Sequence, residues 1–389
     1  MNKSNKKNHK KVWYAPYKFE SYGKEEIDAV VEALESGWLG GQGPKSVEFE
    51  NAISKRFGKK FGVFVNSGSS ACLLSLASLD LPKGSKIITP ACTFSTTLAP
   101  IIQLGFEPVF VDVGLNDYVA DVDEVVRLCQ DHEIAAIMLP NLIGNKPNWK
   151  KLKEILINMG RENIILIEDS ADTITETIET DVSTTSFYAS HVITAGGVGG
   201  MVMFNDKKLV SKCLQYRDWG RLGDDSEIIS DRFNHQVDGI PYDHKFLYSV
   251  LGYHMKACEM NAAFGLVQLE RFKKFNKIRR ENFERYLTNL KNVPEITLPD
   301  DSLKPNWLAI PLQSKERFDL LNFLEEENIQ TRVTFAGNVT RHPVYRSYLQ
   351  PFKNSDLIMK NGFLLGAHHG MDKDDVDYVT DKIKEFYGH

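Results

Sequence analysis

Three short stretches of this sequence put polar residues where chemistry needs them. Val63-Phe-Val-Asn-Ser-Gly-Ser-Ser-Ala71 is an apolar run that ends in small residues and passes into a helical pattern. Ser67, Gly68, Ser69 and Ser70 can present backbone N–H groups and hydroxyls at a helix N-terminus, which suits a phosphate. A tight strand-to-helix turn built of small residues for steric reasons gives the same pattern. Ile164-Ile-Leu-Ile-Glu-Asp-Ser170 delivers two carboxylates at the end of an apolar strand. Asp169 can pair with the protonated ring nitrogen of a pyridine cofactor and keep that ring electron-poor, or it can cap the next helix. The third stretch, Ser186-Phe-Tyr-Ala-Ser-His191, is followed by Gly196, Gly197, Gly199 and Gly200 and then by a strand. An imidazole is a general base near neutral pH, although a lone histidine is more often a structural residue.

The elements around these stretches alternate. Apolar runs at 62–65, 86–89, 108–113, 135–139, 164–167 and 201–204 read as strands, and stretches such as 121–129 and 149–157 repeat apolar residues at helical spacing. Strands alternating with helices imply a mainly parallel sheet covered on both faces, with its chemistry at the carboxyl ends of the strands. A helix is expected over 25–36, ahead of a glycine-rich turn, and a long one over 260–290. Beyond it, strands at 307–312 and 331–334 flank a helix at 316–326, and a terminal helix spans 373–386. The division expected is a basic tail at 1–13, a large α/β domain at 14–255, and a connecting helix with a small α/β domain at 256–389.

Composition excludes several classes. The net charge is −5, and the only basic block (Lys3, Lys6, Lys7, Lys10, Lys11) has no apolar segment behind it. It reads as a solvated tail rather than a signal peptide or a nucleic-acid arm. No apolar run approaches the roughly 20 residues that span a bilayer, so a cytoplasmic protein without membrane or nucleic-acid partners is expected. Five scattered cysteines (Cys72, Cys92, Cys129, Cys213, Cys258) fit neither a disulfide framework nor a metal knuckle. His342, His368 and His369 lack useful spacing for a metal, and none is expected.

Taken in order, Asn66-Ser-Gly-Ser-Ser70, Thr89-Pro-Ala-Cys-Thr-Phe94, Glu168-Asp169 and Ser186 to His191 resemble the sugar aminotransferase family (DegT/DnrJ/EryC1/StrS) of fold-type I pyridoxal-phosphate enzymes. Ser36-Gly-Trp-Leu39, Arg217-Asp-Trp-Gly220, Leu251-Gly-Tyr253 and Met260-Asn-Ala-Ala-Phe-Gly265 extend the likeness from about Tyr14 to the C-terminus. The resemblance implies an aspartate aminotransferase-like α/β fold, with a three-layer α/β/α domain and a small C-terminal α/β domain. It also implies a homodimer with residues of both subunits around each cofactor.

In those aminotransferases the sixth residue of Ser-Phe-x-x-x-Lys is the lysine that binds the cofactor covalently, and here it is His191. That exchange marks the family's 3-dehydratase branch. Glu168-Asp-Ser-Ala-Asp172, Tyr242-Asp-His-Lys245 and Thr331-Arg-Val-Thr-Phe-Ala-Gly-Asn-Val-Thr-Arg341 resemble the same branch. The branch implies pyridoxal or pyridoxamine 5'-phosphate held non-covalently. Ser69, Ser70 and Ser186 would meet its phosphate, Phe94 would stack on its ring and Asp169 would face its ring nitrogen. Asp172, one helical turn later if a helix begins there, would reach the ring hydroxyl. His254 replaces the usual Asn that touches the phosphate of the partner's cofactor. Asn338 and Arg341 would approach the sugar from the small lobe.

The reaction implied is loss of the C3 hydroxyl from a nucleotide-linked 4-keto-6-deoxyhexose for glycan synthesis. The cofactor amine condenses with the C4 ketone, His191 removes a proton, and L-glutamate restores the amine. Imidazole cannot form the lysine's imine, but it can act as the base. CDP-sugar dehydrases of this branch carry cluster-binding cysteines after Arg-Asp-Trp-Gly. This chain has none between Gly220 and Cys258, so neither an iron–sulfur cluster nor a reductase partner is expected. After His191 the family's Gly-Glu-Gly-Gly reads Gly196-Gly-Val-Gly-Gly200, without the acid and one residue longer. An aminotransferase-like enzyme of unusual chemistry and a non-catalytic binder of cofactor or sugar nucleotide are the alternatives.

Overall fold

The computed structural model describes residues 10–16, 21–223 and 226–389, so Lys3, Lys6 and Lys7 of the basic block lie outside the described residues. The solvated tail does not extend to residue 13. Val12 is only 4% exposed, its N–H donates to the Asn328 carbonyl (3.0 Å) and its own carbonyl accepts from Gln330 (2.9 Å). A buried apolar side chain between two backbone hydrogen bonds makes this stretch part of the small lobe.

Helices α1 (Lys24–Glu35) and α2 (Pro44–Arg56) come first, α2 opening on a proline whose missing N–H costs nothing at that position. The central sheet has seven strands: β1 (Phe61–Val65), β2 (Lys86–Pro90), β3 (Glu107–Val111), β4 (Ile134–Pro140), β5 (Ile165–Asp169), β6 (Val182–Ser186) and β7 (Gly200–Phe204). Their order is β1-β7-β6-β5-β4-β2-β3, and only β7 runs against its neighbours. Between them lie α3 (Gly68–Ala77), α4 (Ser95–Gln103), α5 (Val122–Asp131) and α6 (Trp149–Asn158), with α7 (Lys207–Arg217) after β7.

Strand residues alternate between two helical layers, as the pleat dictates. Val63, Val65, Ile87, Ala136 and Met138 pack with residues of α3, α4 and α7. Ile88, Ile137, Leu139 and Leu166 pack with α5 and α6, and Phe64, Met201 and Met203 join α2 and the long helix described below. The expected strands appear within a residue or two at each end, but β6 was not expected. Its sequence, Val-Ser-Thr-Thr-Ser, has one large apolar residue, yet all five residues are buried.

A short helix α8 (Ile229–Arg232) and a hairpin of β8 (His235–Val237) and β9 (Ile240–Tyr242) precede the 32-residue helix α9 (Glu259–Leu290). The small lobe carries β10 (Ile310–Gln313), α10 (Arg317–Glu326), β11 (Arg332–Val333), α11 (Lys353–Asn361), β12 (Gly362–Leu365) and α12 (Lys373–Tyr387). Its strands are antiparallel in the order β10-β12-β11, and α9 packs on α1, α2 and α12, which ties the lobes together. The strand expected from 307 starts at Ile310, because Trp307 instead stacks on Phe283 (centroids 5.3 Å apart, planes 4° apart). Among the described residues, no helix is long and apolar enough to cross a membrane.

Candidate active site

The carboxyl ends of β1, β2, β4, β5 and β6 open into a cavity of about 490 Å3 walled on its far side by the small lobe. Ser69, Phe94, Asp169, Asp172, Ser186 and His191 all line it, so six residues read from separate stretches of sequence meet in one place. Ser67, Gly68 and Ser69 sit at the N-terminus of α3, where backbone donors lack intrahelical partners. Gly68 is there for lack of a side chain: a Cβ on it would lie 2.6 Å from the Ser186 Cβ. The helix start and the end of β6 can touch only because of it. The Ser186 hydroxyl accepts from the Tyr188 N–H (3.3 Å) and the Ser69 hydroxyl meets Thr96 (3.1 Å). Phe94 is 55% exposed and offers a free ring face to the cavity, its edge contact being Phe335.

Asp169 ends β5 and is 7% exposed. Its Oδ2 accepts from the Thr97 hydroxyl at 2.7 Å, and its Oδ1 accepts from the Ala171 N–H (3.3 Å) and the Thr184 hydroxyl (3.5 Å). Burial raises its pKa against these hydrogen bonds, which favour the ionised form. Among the described residues no basic side chain pairs with it. A buried carboxylate held by neutral donors and short of a cation is the donor set that suits a protonated ring nitrogen, so the residues present fit a pyridine cofactor.

His191 sits in the turn after β6, its N–H bonded to the Tyr188 carbonyl (3.0 Å). Its side chain is 17% exposed, and Nδ1 lies 3.6 Å from Asp172 Oδ1. Burial, helped by the buried Arg279 guanidinium, lowers its pKa to about 4, so the imidazole is neutral near pH 7. Burial raises Asp172 to about 7, opposed by a hydrogen bond from the Ile143 N–H at 2.8 Å. No helix begins after Asp169. Residues 170–180 run without helix or strand toward β6, so Asp172 reaches the cavity through a turn and not by helical spacing. The loop after His191, which lacks the acid, is held by other groups: Thr194 bonds the Phe187 carbonyl and the Gly197 N–H, and Asn261 of α9 bonds the Ala195 carbonyl.

Four expected residues do not line this cavity, although one of them, His254, was expected at the partner's cofactor instead. The Ser70 hydroxyl donates to Asn66 Oδ1 (2.7 Å) and Ser70 is not part of the cavity wall. Asn338 is fully buried, with its amide spent on Gln350 and Asp356 and its oxygen on Thr340, and Arg341 forks onto Asp356. Both secure the small lobe, and neither lines the cavity. His254 stacks on Trp219 (4.5 Å, 6°), away from this chain's own cavity. The histidines weighed as metal ligands are otherwise engaged: His342 with the Ala336 carbonyl, His368 with the Trp13 carbonyl, and His369 stacked on Phe275.

Tyr14, Thr97, Tyr188, Arg332 and Phe335 are wall or support residues that sequence reasoning missed. Arg332 lies over the Tyr14 ring (5.6 Å) and makes no ion pair among the described residues. It belongs to the same 331–341 segment that supplied Asn338 and Arg341. Its place in the two-residue strand β11 was the signal that would have preferred it.

Residues 20–384 match the model of the DegT/DnrJ/EryC1/StrS aminotransferase family. The chain is 36% identical to the lipopolysaccharide biosynthesis protein RfbH of Salmonella typhimurium, over 94% of this chain and 90% of that one. It is 34% identical to dTDP-4-dehydro-2,6-dideoxy-D-glucose 3-dehydratase of Saccharopolyspora spinosa, over 88% and 80%. In structure it resembles GDP-4-keto-6-deoxymannose-3-dehydratase with a trapped PLP-glutamate geminal diamine, with a TM-score of 0.83, 26% identity and coverage of 96% and 100%. The architecture is that of the fold-type I pyridoxal-phosphate enzymes, as the sequence motifs imply.

Proposed function

We infer that this chain, which belongs to the DegT/DnrJ/EryC1/StrS aminotransferase family, is a 3-dehydratase of a nucleotide-linked 4-keto-6-deoxyhexose dependent on pyridoxal or pyridoxamine phosphate. One observation carries the reading: among the described residues no lysine lines the cavity, and a largely buried histidine stands in the motif position where the aminotransferases carry theirs. A covalent cofactor link has no amine to form it, while a base remains. The likeness to a relative named as a 3-dehydratase supports the same choice.

Asp169 would hold the cofactor's ring nitrogen, Phe94 would lie on its ring, and the α3 N-terminus with Ser69 and Ser186 would take its phosphate. The chemistry such a cofactor supplies is an amine for the C4 ketone and an electron sink that lets the C3 hydroxyl leave. His191, neutral at the working pH, removes the proton that starts that flow. Tyr14, Arg332 and Phe335 line the cavity and would face the sugar. L-glutamate is the amino donor, and neither an iron–sulfur cluster nor a reductase takes part. The working form is a homodimer, supported by the exposed apolar residues around His254, among them Leu251 at 95%.

The direct test combines protein, pyridoxal phosphate, L-glutamate and a panel of GDP-, CDP- and dTDP-linked 4-keto-6-deoxyhexoses. Mass spectrometry should find 2-oxoglutarate, ammonia and a 3-deoxy-4-keto sugar. A stable 4-amino sugar would sink the dehydratase reading. His191→Asn should abolish the product and leave cofactor binding nearly intact, because the Asp169 and phosphate contacts remain. Near-normal turnover in that variant would remove His191 from the chemistry.

A further inference from the structure

Asp172 has one oxygen in a hydrogen bond and one that faces the imidazole. Oδ2 accepts the Ile143 N–H at 2.8 Å, and Oδ1 faces His191 Nδ1 at 3.6 Å. That imidazole nitrogen is buried and has no hydrogen-bond partner among the described residues, so the unspent capacity of both groups points the same way. The distance is longer than a hydrogen bond, but catalytic hydrogen bonds in a free enzyme often start long and tighten when substrate arrives.

Ile143 gives its N–H to Asp172 from an unusual conformation. Its backbone is left-handed (φ 58°, ψ 11°), a region that a β-branched residue rarely enters. Such strain persists only where the surroundings over-determine it, and it clusters at functional sites. Here the turn is held from three sides. The Asn141 N–H donates to the Asp169 carbonyl (2.8 Å), and the Ile143 carbonyl accepts from Leu308 (2.7 Å). Gly144, at φ 97°, lies so close to the small lobe that a Cβ would meet the Asn306 carbonyl at 2.2 Å.

We propose that Asp172, fixed by the strained Ile143 turn, is the positioning residue for His191: its carboxylate accepts a hydrogen bond from Nδ1–H, which keeps the proton on Nδ1 and leaves Nε2 as the basic nitrogen turned to the reacting carbon. This rests on His191 being the base of the proposed dehydration, and it adds which nitrogen acts and what holds it. Asp169, Tyr14 and Arg279 are the other charged or titratable groups that act on the pair.

The experiment reads the imidazole directly, without substrate. Proton–nitrogen correlation spectra of protein carrying isotope-labelled histidine, at about pH 8 where an unperturbed imidazole is neutral, report the tautomer. The spectrum of His191→Asn identifies the His191 signals among the ten histidines. The wild type should show Nδ1–H with a bare Nε2. In Asp172→Asn the Ile143 N–H still demands an acceptor, so the amide oxygen turns to it and the NH2 group faces Nδ1. The imidazole should then switch to Nε2–H. In the assay the same variant should lose about a hundredfold or more in kcat with cofactor affinity unchanged, and Asp172→Glu should recover part of the loss. Asp172→Ala, which removes both contacts, should give a mixture of tautomers and serves if the asparagine variant does not fold. An Nε2–H wild type, or a tautomer that ignores both substitutions, overturns the proposal. Turnover in His191→Asn would instead overturn the base assignment, whatever the tautomer.

Discussion

At the scale of single residues, the pH dependence of the site follows from two groups that share one neighbourhood. Burial pushes Asp172 up to about 7 and His191 down to about 4. In the proposed reaction the active form has the carboxylate ionised and the imidazole neutral, so activity should be lost as pH falls and the first proton enters the pair. That step belongs to the pair rather than to either residue. The acidic limb of kcat/KM should therefore lie near neutrality in the wild type. In Asp172→Asn only the imidazole is left to titrate, and burial still disfavours its charged form. The limb of the residual activity should then move down toward pH 4. An unmoved limb would mean that some other group sets it.

At the scale of elements, Gly68 shows how local geometry controls the proposed phosphate end of the site. With a Cβ 2.6 Å from that of Ser186, Gly68→Ala must push the start of α3 away from β6. Affinity for pyridoxal phosphate, followed by its absorbance, should fall at least tenfold, while α3 and the sheet keep their secondary structure by circular dichroism. Unchanged affinity would show that the helix start is not the phosphate seat. Much of this layout was legible beforehand: strands whose apolar residues alternate with helical stretches gave the parallel sheet, and the ends of β1, β5 and β6 were in the right order. Strand β6 itself was not, because its hydroxyls do what apolar side chains do elsewhere. Ser183 donates to Glu168, Thr184 reaches toward Asp169, and Thr185 bonds the Ser170 carbonyl. Nothing in a period-two pattern reveals a buried strand that satisfies carboxylates. The left-handed Ile143 was equally hidden, since an isoleucine carries no turn signal. Tyr14 lies at the edge of the likeness and Arg332 inside the 331–341 segment, and both meet the cavity only through the docking of the small lobe.

For the whole molecule, the surface is less finished than the interior. Trp219, Phe246, Tyr248 and Leu251 are exposed by 41–95%, and all lie on the segment that carries His254. Trp38 and Leu39 (53% and 60%) join them through the pairing of Gly40 with Cys258. A second copy of the chain covers such a face in the proposed dimer. Leu251→Glu places a charge in the middle of it, so light scattering should show a dimer for the wild type and a monomer for the variant. Activity should fall with dimerisation if His254 serves the partner's site. A monomeric wild type would remove the shared site from the proposal.

The N-terminal stretch that docks on the small lobe bears on when the site comes into being. The cavity wall draws on Tyr14, Ser69, Asp169, His191, Arg332 and Leu364, and β12, which carries Leu364, is the central strand between β10 and β11. Until β12 has left the ribosome, β11 has no partner strand, and the segment around Val12 has no finished lobe to dock on. A nascent chain stopped short of residue 362 can own the phosphate turn and Asp169 but not a closed site. The walled cavity is then a feature of a chain that extends through β12.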